Sequence, residues 1–126
     1  MMPKNYILVG HEPVAEPDML KWAMWFEHAD RTVARTSLKR GDPPEEYCVV
    51  STVFLGLDHN FSRIGPPVLF ETMAFADGTD MPIQYRCCTW ADAERQHVMV
   101  CNEIEERFKH APVANNWRRP RDASRN

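Results

Sequence analysis

Residues 47 to 57 read "YCVVSTVFLGL" and are apolar on both sides of a two-residue alternation. Val49, Ser51, Val53, Leu55 and Leu57 fall on one side, and Val50, Thr52 and Phe54 on the other. A strand apolar on both sides belongs in the middle of a sheet. Two later segments, "VLFETMAF" and "IQYRCC", have the same β-branched and aromatic character and are set off by the turn-rich stretches "DHNFSRIGPP" and "ADGTDMP". Residues 47 to 88 therefore predict a three-stranded meander. Upstream, "RTVARTSLKR" is β-branched and half polar, as an edge strand would be, and "GDPPEE" is a loop. Near the N-terminus "YILVGHEPV" breaks at a glycine and predicts a hairpin turning near Val9 to Glu12.

Two segments keep the helical period instead. "EPDMLKWAMWFEHAD" enters on Pro17 and Asp18 and repeats Met19, Trp22, Ala23, Phe26 and Ala29. Trp22 and Trp25 lie about 300° apart around its axis, at the edge of one broad apolar face. "TWADAERQHVMVCNEIEERFK" opens on a Thr-x-x-Asp capping box and aligns Trp90, Ala93, His97, Val100, Ile104 and Phe108. Each helix needs a sheet to bury its stripe. The predicted fold is α+β, an antiparallel sheet of about four to five strands with both helices packed on one face. Residues 1–109 are expected to make one domain, and residues 110–126, with four arginines and two prolines, are expected to make a basic flexible tail.

Composition narrows the class more than it names a function. At 126 residues and 44% hydrophobic the chain can close one core, and a net charge of −3 fits neither a nucleic-acid-coating protein nor an acidic mimic of one. Direct nucleic-acid binding is expected only through the basic tail. No apolar run approaches the roughly 20 residues of a membrane-spanning helix, and the N-terminus lacks the continuous apolar core of a signal peptide. The expected location is the cytoplasm. Cys48, Cys87, Cys88 and Cys101 contain no CxxC pair, so neither a disulfide framework nor a zinc knuckle is expected.

There is no phosphate-binding glycine loop, no dinucleotide-binding glycine pattern, no HExxH and no GxSxG, and no cofactor is expected. Candidate chemistry rests on polar residues in apolar surroundings. Asp58 and His59 stand where the central strand becomes a loop, either satisfying turn amides or facing a ligand. Glu71 shares its side of a strand with Leu69, Met73 and Phe75, so it needs a partner, and the meander offers Arg86. His97 lies within a helical stripe. Convergence of His59, Glu71 and His97 would make an acid–base site, the two imidazoles being candidate metal ligands. Trp25 and Trp117 are candidate contact residues, because tryptophan is enriched at binding hot spots.

The combination of "VSTVFLGLDHNF", "GPPVLFETMAF" and "TWADAERQH", preceded by "YILVGHEPV" and "LKWAMWFE", resembles a family of small, mostly uncharacterised proteins encoded in tailed-phage and prophage genomes. The resemblance covers about residues 6 to 100. It implies an accessory protein of the host-cell cytoplasm that binds a host protein or defence complex stoichiometrically, as anti-CRISPR and other counter-defence inhibitors do. The alternative expectation is a small nucleotide-binding or metal-assisted hydrolytic domain, with a pocket near Asp58, His59, Glu71, Arg86 and His97.

Overall fold

The structure, a computed structural model, describes residues 4–62, 64–76 and 83–109. The chain begins with a hairpin of β1 (Tyr6–Val9) and β2 (Glu12–Ala15), followed by α1 (Met19–His28). Then come β3 (Thr32–Arg40), β4 (Glu45–Phe54), β5 (Phe70–Ala76), β6 (Ile83–Cys87) and α2 (Trp90–Lys109). The last four strands form one antiparallel sheet in the order β3-β4-β5-β6, and the hairpin is a separate two-stranded sheet. The α+β class, the central position of β4 and the edge position of β3 agree with the sequence pattern. Residues 110–126, including Trp117, lie outside the described residues.

The hairpin turns tightly because Gly10 takes the left-handed conformation at φ 63, and Val9 pairs with Glu12 across it. Glycine at the first central position, followed by a residue of negative φ, matches the twist of the flanking strands. β4 ends at Phe54, three residues before the apolar pattern does. Gly56, at φ 77, turns the chain out of the ladder, and Leu57 then bridges to Asn5 beside the hairpin. Leu57 is exposed as a result, which corrects its place on the strand's apolar side.

The register between β4 and β5 decides which side of each strand is buried. Thr52 faces Thr72 and Phe54 faces Phe70, and all four are fully buried with Val50 and Ala74 on the side that α2 covers. The more apolar-looking side of β5, with Glu71, Met73 and Phe75, faces away, so its expected burial is corrected: Phe75 is exposed. Polar Thr52 and Thr72 tolerate the interior because their hydroxyls bond each other at 2.7 Å.

Helix α2 buries Ala93, His97, Val100, Cys101 and Ile104, and Thr89 caps its start by accepting from the Asp92 amide at 3.1 Å. Helix α1 has no fully buried residue. Asp18 caps it, as its place at the helix entry predicts, accepting from the Leu20 and Lys21 amides at 3.0 and 3.2 Å. Trp22 donates to the carbonyls of Tyr6 and Gly56, both at 3.1 Å, and Trp25 packs edge-on against Phe54. Met19 and Ala23, expected within the apolar stripe, are exposed because the helix is held at the end of the sheet by Trp22, Trp25 and Phe26.

Candidate functional site

The end of β4 opens into a loop that its own side chains organise. Asp58 Oδ1 accepts from the Asn60 amide at 2.7 Å, Asn60 Oδ1 from the Ser62 amide at 2.9 Å, and Ser62 Oγ from the Ile64 amide at 3.1 Å. Each short polar side chain thus closes a turn onto the backbone two residues on. The Asn60 amide group also donates to the carbonyls of Ile64 and Pro66, at 3.1 and 2.8 Å. Asp58 closes the neck by accepting from the Val68 amide at 2.9 Å, while the His59 amide donates to the Val68 carbonyl at 2.9 Å. This is a compact loop with adjacent ends, packed by its own residues.

Between the organising residues the loop turns two large apolar side chains to solvent: Phe61 is 87% and Ile64 82% exposed. His59 lies beside Phe61, with ring centroids 6.1 Å apart, and its Nδ1 is 2.8 Å from the Leu57 carbonyl oxygen. Asp58 and His59 therefore work as structural members of the loop. The exposed side chains of Phe61 and Ile64 carry no signal of their own in the sequence. The alternation of Asp58, Asn60 and Ser62 with larger residues is the pattern that would have pointed to them.

The other candidate residues are held elsewhere. Glu71 accepts from Arg86 Nε at 2.9 Å and from Gln84 Nε2 at 2.7 Å, on the face of the sheet opposite α2. His97 is 5% exposed under α2, with Nε2 2.8 Å from Thr36 Oγ1 and Nδ1 2.8 Å from Thr52 Oγ1. With the Thr52 and Thr72 pair, one imidazole thereby ties β3, β4 and β5 to the helix. Burial holds its pKa below the ordinary 6.5, so it is neutral in the folded protein near pH 7. Because successive strand residues alternate sides, Glu71 and His97 are separated by the sheet. The structure divides the five residues of the expected pocket among the loop, the outer face and the core.

Among the described residues no group of three or more His, Cys, Asp or Glu side chains could hold a metal ion. Thiol chemistry has little support: burial, then the charge of Asp92, pushes Cys87 up to about 11, and burial also raises Cys88. A thiol so placed stays protonated near neutrality and is a poor nucleophile. No described helix is long and apolar enough to cross a membrane. Fold and loop together define an α+β domain that displays, at one end of its sheet, a hydrogen-bonded loop with two exposed apolar side chains. Compared with family models, curated proteins and solved structures, the chain matches none.

Proposed function

We propose that this protein acts by stoichiometric binding to a protein partner, with the loop of residues 58 to 68 as the contact surface. The observation that carries this reading is the exposure of Phe61 and Ile64 on a loop already fixed by hydrogen bonds. Seating two such side chains in a pocket contributes about 1.5 to 3 kcal/mol each. A loop ordered beforehand also avoids much of the ordering cost that weakens flexible contacts. The nearby outward side of α1, with Met19, Leu20 and Met24 exposed, offers further apolar contact area of the adaptable kind that methionine provides.

The resemblance to tailed-phage and prophage proteins supports a host protein or defence complex as the partner, and an anti-CRISPR-like or other counter-defence role in the host-cell cytoplasm. The test is affinity capture from host lysate with the full chain and with the Phe61→Ala, Ile64→Ala double variant, followed by mass spectrometry. A partner retained at one-to-one stoichiometry by the unaltered chain and lost by the double variant is the expected outcome. Equal retention by both would remove the loop from the interface and overturn the reading.

A further inference from the structure

We propose that the pocket between the β1–β2 turn and the start of α2 is a nucleoside site, in which an amino-bearing purine or pyrimidine base stacks on Trp90 in the place now taken by His11. The pocket has a volume of about 520 Å³, within the roughly 300 to 1,000 Å³ of small-molecule sites. Pro13, Pro67 and Leu69 supply apolar wall, and Trp90 is steadied from another side by Phe70, edge-on at 6.2 Å and 90°.

Three observations point to a planar, hydrogen-bonding ligand. The His11 imidazole lies parallel on the Trp90 indole, with centroids 3.8 Å apart and planes 3° from parallel. Trp90 is thus a stacking platform already occupied by a heteroaromatic ring. That ring is replaceable: His11 is exposed, sits on a two-residue turn, and makes no hydrogen bond to any described residue. The Trp90 Nε1–H is buried and donates to no described acceptor, a cost that a ligand acceptor reaching the edge of the indole, in its plane, would remove.

Charge then selects the class. Glu12 and Glu94 line the pocket, no lysine or arginine is among its described lining residues, and neither carboxylate has an ion-pair or hydrogen-bond partner among the described residues. Glu94 lies one helical turn beyond Trp90, on the same side of α2. Such carboxylates accept from the exocyclic amine of adenine or cytosine, as acidic side chains do from cytosine N4. They also repel phosphate, which favours the nucleoside over the nucleotide.

The full ¹⁵N-labelled chain is titrated with adenosine, cytidine and AMP while the Trp90 indole N–H resonance is followed. Both nucleosides should shift that resonance, AMP should bind more weakly than adenosine, and Glu94→Gln should weaken adenosine binding. His11→Ala, which clears the platform, should tighten it about twofold to twelvefold, the factor equivalent to an aromatic contact of about 0.5 to 1.5 kcal/mol. Both substitutions fall on exposed residues, so folding is not at stake. An unmoved indole resonance at millimolar adenosine, AMP binding as tightly as adenosine, or unchanged or weaker binding by His11→Ala would each overturn the proposal.

Discussion

Replacing His97 with phenylalanine tests whether the buried imidazole works as a structural clasp. Phenylalanine retains a ring under α2 but removes the two hydrogen bonds, each 2.8 Å, that join the helix to Thr36 and Thr52. A buried hydrogen bond contributes about 0.5 to 1.5 kcal/mol net, so the pair accounts for about 1 to 3 kcal/mol. The lower part of that range is expected, because Thr52 keeps its bond to Thr72 and Thr36 keeps a contact with Cys101. At about 4 °C per kcal/mol for a domain of this size, that lower part, about 1 to 2 kcal/mol, should bring the melting temperature down by about 4 to 8 °C. His97→Ala adds a cavity and should cost more, about 3 to 5 kcal/mol by analogy with aromatic truncations.

The same clasp should make stability depend on pH with a defined sign. The folded pKa of His97 lies below 6.5 because burial disfavours the charged ring, and both hydrogen-bond partners are uncharged hydroxyls. Below pH 6.5 the unfolded chain takes up a proton that the folded chain refuses. Stability therefore falls as pH drops from 6.5 towards the folded value and levels off beneath it, with a slope approaching about 1.4 kcal/mol per pH unit. Urea melts between pH 7.5 and 5 measure the effect as the difference between the unaltered chain and His97→Phe, which cancels the other titrating groups. Equal stability of the two proteins, with parallel pH profiles, would refute the clasp.

Four further outcomes are expected. Gly56→Ala should destabilise by at least about 1 to 2 kcal/mol in urea melts, since φ 77 strains an L-residue and the new Cβ would stand 2.9 Å from the Phe26 ring. Asn60→Ala should raise hydrogen exchange at Ser62 without lowering the protection of β4, because it removes the bonds that shape the loop and none in the sheet. Glu71→Gln should change stability by no more than about 1 kcal/mol, since Arg86 is 38% exposed and Gln84 remains as a neighbour. Cys87, held up at about 11, should be alkylated by iodoacetamide at pH 7.5 more slowly than a free cysteine.

Much of the architecture was legible because period and punctuation agreed. The stripe through Ala93, His97, Val100 and Ile104 is the buried side of α2, and the run around Val50, Thr52 and Phe54 is the inner side of the central strand. The burial of β5 runs opposite to its hydrophobicity pattern for a physical reason. Hydrophobicity alone ranks Met73 and Phe75 above Thr72 and Ala74, yet cross-strand register against Val50, Thr52 and Phe54 decides which set meets the helix, while Leu69, just before the strand, is buried in the core. Threonine becomes an acceptable core residue once a histidine 45 positions along the chain from Thr52 satisfies its hydroxyl. A pairing of that kind has no local signature.

The same distinction explains the uneven legibility of the sites. Asp58 and His59 marked the position where the scaffold ends, since an acid after an apolar strand signals a turn. The roles within the loop depend on Asn60, whose single side chain reaches past Phe61 to Ser62, Ile64 and Pro66 and so shapes the turn that displays that ring. The Trp90 platform needed still more, because its partner His11 comes from a hairpin at the other end of the chain, and within α2 the tryptophan reads only as part of the apolar stripe. Local sequence thus exposes residues that terminate or cap an element. Residues whose function arises from a contact between distant elements become visible only when the fold has brought them together.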